Sequence, residues 1–142
     1  MLAVEVKNLT HEINNKKILN NIEFNLTKDS ISCILGPSGS GKTTLLKLIA
    51  GLEKVQSGEI LINGEEVSST KKHLPTEKRK IGFLFQDYAL FPHLTVKQNL
   101  EYPINYKNSN YRIEDIIDLI KLPNSLKKFP HELSGGEQQR VA

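Results

Sequence analysis

The feature that most constrains this chain is a change of pattern between residues 31 and 51. Ile31-Ser32-Cys33-Ile34-Leu35 is a short apolar run with little alternation. Such a run suits a strand buried on both faces of a sheet. Gly36-Pro37-Ser38-Gly39-Ser40-Gly41 follows it directly. Glycine accepts left-handed backbone and lets the main chain approach a ligand closely. From Lys42 to Ala50, Leu45, Leu46, Leu48 and Ile49 cover most of a helical surface, and Gly51 fits the position just past the helix end. A buried strand, a glycine loop and an apolar helix in that order point to an α/β fold.

Residues 36–43 read Gly36-Pro37-Ser38-Gly39-Ser40-Gly41-Lys42-Thr43 and match G-x-x-x-x-G-K-[ST]. Successive backbone N–H groups in such a loop point into one concavity and bind anionic oxygens. The helix behind adds its N-terminal N–H groups and its dipole. Lys42 brings a compact positive charge to the β- and γ-phosphates of a nucleotide, and the Thr43 hydroxyl can ligate Mg²⁺. Thr44 extends the candidate set. A chance match in a Gly/Ser-rich turn is opposed by the strand before the loop and the helix after it.

Elsewhere, Leu2, Val4 and Val6 alternate as a strand, and Ile22, Phe24 and Leu26 as a second, with Asn14-Asn15 turning the chain between them. Glu59 to Ile62 is a further strand, closed by the hairpin pair Asn63-Gly64. Residues 68–80 read as a polar loop and residues 81–85 as another buried strand. Thr95 and Gln98 form a capping box opening a short helix. Ile113, Ile116, Ile117 and Ile120 recur at helical spacing, predicting a helix from Tyr111 to Leu122 that Pro123 stops. Ser134 and Glu137 form a second capping box. Gly135 and Gly136 leave the first N–H groups of that last helix uncovered.

The 142 residues, 38% hydrophobic and 25% charged, have the profile of a soluble α/β domain. The net charge of +3 is too small to argue for a nucleic-acid partner, and none is expected. Cys33 has no second cysteine to pair with and is expected to be a small buried residue. The N-terminus has no basic region followed by a long apolar stretch. No segment approaches the roughly 20 apolar residues of a membrane span. A cytoplasmic location is expected, with any membrane role exercised through a partner.

The motifs together resemble the ATPase subunit of an ABC transporter, from Leu2 to Ala142. Leu133-Ser134-Gly135-Gly136-Glu137-Gln138-Gln139-Arg140 is that family's signature, and Gln86, ending IGFLF, matches its Q-loop glutamine. The stretch LPTEKRKIGFLFQDYALFPHLTV is similar to the importer branch that includes ferric-iron, polyamine, sulfate and maltose-type ATPases. The resemblance implies a P-loop NTPase core with an N-terminal antiparallel β subdomain and a helical subdomain, incomplete at the C-terminus. It assigns residues 1–86 to the ATP-binding core with the β subdomain and residues 87–142 to the helical subdomain. It implies ATP and Mg²⁺ as cofactors, with Gly36, Pro37, Ser38, Gly39, Ser40, Gly41, Lys42, Thr43 and Thr44 on the nucleotide and Thr43 and Gln86 on the metal. Gln86 would also touch the attacking water and relay the nucleotide state. Ser134, Gly135, Gly136 and Glu137 would close on the γ-phosphate from a second ATPase subunit, head to tail. Permease subunits would hold the protein at the inner face of the membrane, and a solute-binding protein would act through them. Residues 88–94 are either the permease contact or core of the helical part.

Two departures from the family pattern stand out. Ile13 occupies the position where the family carries an aromatic residue that stacks on adenine; neighbouring His11 is the alternative candidate. The family also continues into an apolar strand ending in Asp-Glu, which lies beyond Ala142. With the catalytic Glu absent, this chain alone is expected to be nearly inactive, and the lost central strand to expose apolar faces of its neighbours. Two other readings are a non-catalytic nucleotide-binding fragment and an ABC-type ATPase outside transport.

Overall fold

Asparagine sets the geometry of the first two strands. The computed structural model describes residues 1–106 and 112–142, for 104–106 the backbone alone. Strand β1 (Leu2–Ile13) pairs antiparallel with β2 (Lys16–Thr27) across Asn14 and Asn15, at φ 50° and 59°. Two successive left-handed residues form the turn whose twist matches that of the strands, and asparagine tolerates that region. Strand β3 (Ser57–Ile62) pairs with the other edge of β1, and β4 (Glu65–Ser68) follows through Asn63 and Gly64, at φ 53° and 81°. The sheet order is β2-β1-β3-β4. Where β1 bulges against β3, a Cβ on Gly58 would lie 2.5 Å from the carbonyl oxygens of Lys7 and Asn8. Only glycine fits there.

Helix α1 (Lys42–Ala50) has the bounds its sequence predicts. Leu45 and Leu48 sink into one core with Val6, Leu9, Leu19, Ile60 and Val67 from the sheet and its hairpins. Gly51, at φ 80°, ends the helix: its N–H donates to the Leu48 carbonyl at 3.2 Å and that of Leu52 to the Lys47 carbonyl at 2.9 Å. This is the Schellman arrangement, which needs a left-handed residue at the position Gly51 fills.

The two expected buried strands do not form. Neither residues 31–35 nor residues 81–85 join a ladder among the described residues. Ile31 is 97% and Leu35 90% exposed, and Cys33 is exposed with them rather than buried. Leu84 and Phe85 are exposed as well, while Ile81 packs at the edge of the core. The physical reason is that a strand buried on both faces exists only between neighbours that take its N–H and C=O groups. The four strands present pair antiparallel with one another in the order β2-β1-β3-β4, and neither run is hydrogen-bonded into that sheet.

The chain divides into two compact units, Met1–Phe83 and Leu84–Ala142. In the second, α2 (Val96–Tyr106), α3 (Ile113–Ile120) and α4 (Gly135–Val141) surround Val96, Leu100, Ile120, Leu122, Leu133 and Val141. The Thr95 box is present: the Gln98 N–H donates to Thr95 Oγ1 at 3.3 Å, and the Thr95 N–H to Gln98 Oε1 at 2.8 Å. Helix α3 stops at Lys121, left-handed at φ 55°, before Pro123; its expected first residue, Tyr111, lies outside the described residues. Asn99 holds the preceding loop. Its Oδ1 accepts from the Phe91 N–H at 2.9 Å, and its Nδ2 donates to the carbonyls of Phe91, Leu94 and Thr95 at 3.2, 3.1 and 3.0 Å. Within residues 88–94, Leu90 packs on the second core, while Phe91 is exposed, its ring 4.5 Å from that of Tyr102.

Candidate nucleotide-binding site

The loop between residues 36 and 43 is shaped by two glycines. Gly39 and Gly41 lie at φ 78° and 91°, a region that strains any residue with a Cβ. At Gly41 packing adds to the requirement: a Cβ would sit 2.9 Å from Ile18 Cγ2 and from Leu19 Cδ2. The loop thus lies against β2 with no room for a side chain, and α1 starts there, its first bond running from the Leu45 N–H to the Gly41 carbonyl at 2.8 Å. The N-cap Gly41 offers no side-chain bond, and the first turn holds no acidic residue. The first N–H groups of a helix have no acceptor within it, so those at the start of α1 are left for an external anion.

Lys42 completes the concavity. Its Nζ donates to the carbonyls of Gly36 and Pro37 at 2.8 and 2.6 Å and approaches Ser40 Oγ at 3.3 Å. The ammonium therefore spans the loop from Gly36 to Ser40. Thr43 is exposed, and Thr44 half-buried. Behind the loop lies a cavity of about 540 Å³, with walls that include Phe24, Leu26, Ile34 and Leu45. Those walls are apolar and unsuited to phosphate.

Ile13 is 41% exposed at the tip of the β1–β2 hairpin. His11 corrects an expectation. It is only 7% exposed, and its Nε2 lies 3.6 Å from Glu53 Oε2, so its ring is not free to stack on a base. The irregularity in β1 between Val6 and Leu9, where Asn8 is left-handed at φ 49°, shifts the alternation by one residue and places Leu9 and His11 on the buried side with Val6.

Gln86 and the last capping box belong to the second unit, the glycine loop to the first. Gln86 is exposed, just inside a turn in which the Tyr88 N–H donates to the Phe85 carbonyl at 3.0 Å. At α4, Glu137 Oε2 accepts from the Ser134 N–H at 2.8 Å and from Ser134 Oγ at 2.7 Å, and the Glu137 N–H donates back to Ser134 Oγ at 3.4 Å. The Ser134 hydroxyl, then its N–H, holds the Glu137 carboxyl below its ordinary range. A Cβ on Gly135 or Gly136 would meet nothing within 4 Å, and neither residue has positive φ. The chain's own packing requires glycine at neither position. Among the described residues no group of three or more His, Cys, Asp or Glu could hold a metal ion, and no helix is long and apolar enough to cross a membrane.

Sequence reasoning placed Arg79 in a polar loop and missed it. It is 3% exposed, and no pattern in Glu77-Lys78-Arg79-Lys80 marks it off from its charged neighbours.

Comparison with known proteins bears on the whole chain. Residues 19–142 match the family model described as ABC transporter. The chain is 41% identical to a spermidine/putrescine import ATP-binding protein of Thermotoga maritima, over 98% of this chain and 38% of that protein. It is 39% identical to a sulfate/thiosulfate import ATP-binding protein of Neisseria meningitidis serogroup A, over 99% of this chain and 41% of the relative. A solved ATP-binding cassette, dimeric in a post-hydrolysis state with ADP and Pi, superposes with a TM-score of 0.80 at 31% identity, covering 97% of this chain and 66% of that one. This chain therefore spans about two fifths of the length of the curated relatives it matches. Its α/β architecture, antiparallel sheet first and helical part after, is that of the ABC ATPases. By family match, sequence identity and fold alike, the chain belongs to the ABC transporter family.

Proposed function

We propose that this chain is the nucleotide-gripping front portion of the ATPase subunit of an ABC-type solute importer, with residues 1–86 as ATP-binding core and β subdomain and residues 87–142 as helical subdomain. The observation that carries the reading is the start of α1: left-handed glycines, an uncapped N-terminus and the Lys42 ammonium lie together within residues 36–42. That donor set suits a triphosphate. Gly36 to Thr44 would hold it through backbone N–H groups, Lys42 would neutralise the β- and γ-oxygens, and Thr43 with Gln86 would ligate Mg²⁺ as in the family pattern. Bound Mg²⁺ would supply charge neutralisation on the phosphates.

The importer reading rests on relatives named for import of spermidine/putrescine, sulfate/thiosulfate and Fe(3+) ions. Three unlike solutes at nearly equal identity also argue that this portion does not choose the solute. A permease and a binding protein would do so. A second ATPase subunit would present Ser134 to Glu137 to the nucleotide, a reading supported by dimeric solved relatives and by two glycines this chain does not itself need. The location that goes with this is cytoplasmic, peripheral on the membrane through the permease. Hydrolysis by these residues alone is expected to be feeble.

Titration with Mg-ATP, followed by thermal melting, tests the grip. At a ligand concentration of about 100 times Kd the folded form gains about 2.7 kcal/mol, so the melting point should rise by several degrees. Lys42→Ala should remove most of that rise. No rise in the parent, or an equal rise in the variant, defeats the reading.

A further inference from the structure

Among the described residues, Arg79 is buried without a counter-ion. Its Nε donates to the Leu74 carbonyl at 2.7 Å. Its Nη1 donates to two consecutive carbonyls of α1, Leu48 at 3.0 Å and Ile49 at 2.9 Å. Its Nη2 donates to Ser68 Oγ at 2.6 Å and reaches the Val67 carbonyl and His73 Nδ1 at 3.4 Å. No carboxylate appears among these partners. The balancing charge is the partial negative end of α1, together with neutral acceptors that occupy every face of the guanidinium. His73 fits this role: burial first, then Arg79 and Lys54, lower its pKa and favour the neutral ring that can accept at Nδ1.

Capping explains only part of the arrangement: Gly51 and Leu52 already take the Leu48 and Lys47 carbonyls, and Arg79 adds the Ile49 carbonyl while sharing that of Leu48. The geometry does more. Consecutive carbonyls diverge by about 100° around a helix axis, so one nitrogen can hold both at only one axial rotation. Gly51 is shaped to the same group: a Cβ there would lie 2.3 Å from Nε and 2.6 Å from Cζ. At the other end, Gly41 is wedged against Ile18 and Leu19. We infer that Arg79 is a positioning residue for the phosphate loop. By clamping the far end of α1 it sets the rotation of the helix and hence the aim of Lys42, Thr43 and the N–H groups beside them. Lysine cannot substitute, because its single nitrogen cannot fork to three segments at once. The inference rests on the proposed nucleotide grip.

The test compares three variants of the full chain, Arg79→Lys, Ser68→Ala and Val6→Ala, the last a cavity opened in the same core from the sheet side. Mg-ATP affinity is measured well below each melting point. Arg79→Lys should weaken binding about ten-fold and Ser68→Ala about three-fold, while Val6→Ala stays within about two-fold despite its lower melting point. Unchanged affinity in Arg79→Lys, or affinity that simply follows melting temperature across all three, overturns the inference. If the parent chain does not bind Mg-ATP, the proposed function falls and amide exchange decides the inference. Residues 42–46 of the nucleotide-free chain should then exchange faster in Arg79→Lys than in Val6→Ala at matched loss of stability; equal exchange overturns it. Should Arg79→Lys fail to fold, Ser68→Ala is judged by the same two readings.

Discussion

Helices α1 and α4 both start at glycine-rich sequence, yet their N-termini are finished in opposite ways. At α1 a left-handed glycine is the N-cap, no side chain closes the turn, and the nearest charge is the Lys42 ammonium. At α4 Ser134 and Glu137 close the turn on themselves, and the Glu137 carboxylate accepts from the N-cap N–H. The first arrangement leaves donors for an anion. The second engages the Ser134 and Glu137 N–H groups from within and keeps its glycines facing open space. Glycine in α1 is a demand of this chain's fold; glycine in α4 is not. A shared residue type thus carries two meanings, separated by φ and by what a Cβ would strike.

The largest way to break this contrast is Gly41→Ala. Left-handed alanine and the clash with Ile18 and Leu19 should together cost about 3 kcal/mol, read as a shift in denaturation midpoint, with Mg-ATP binding lost as well. A variant as stable as the parent would mean that the loop can be rebuilt without its glycine. Ser134→Ala should cost about 1 kcal/mol, seen as faster amide exchange confined to α4. Faster exchange in α1 too would deny the separateness of the two ends. Gly136→Ala should go the other way, gaining about 0.5 kcal/mol, because its φ is ordinary and alanine favours helix. A loss of stability there would reveal a packing need that the structure does not contain.

The smallest effect concerns acid. The Glu137 pKa is lowered by its bonds to Ser134, so its contribution is present above the ordinary carboxylate range and is lost as pH falls through the depressed value. An NMR titration should place its midpoint below those of exposed glutamates, and Ser134→Ala should return it to their range. Equal midpoints in parent and variant would remove the box from the account.

Much of this was legible from residue types. Leucine spacing and Gly51 placed α1 to the residue. Asn14-Asn15 and Asn63-Gly64 announced two hairpins, and Thr95 and Ser134 two helix starts, because each is a local motif whose partners lie within a few positions. Residues 31–35 and 81–85 were misread because a strand belongs to its neighbours rather than to its own composition. Arg79 escaped for a related reason. Most of its acceptors are backbone carbonyls, which every residue owns, and only folding gathers those of Leu48, Ile49, Val67 and Leu74 around one side chain. His11 was offered as a base contact from its place near a turn; the bulge between Val6 and Leu9, which the Leu2, Val4, Val6 alternation does not announce, turns it inward.

The exposure of residues 31–35 gives the chain a chemical reporter. Cys33 is its only thiol, and it lies open among the apolar side chains of that run. Any polypeptide that comes to lie along the run must cover it. The rate at which a maleimide labels the protein is therefore a clock for assembly: fast while the run is bare, slow once another segment has settled on it.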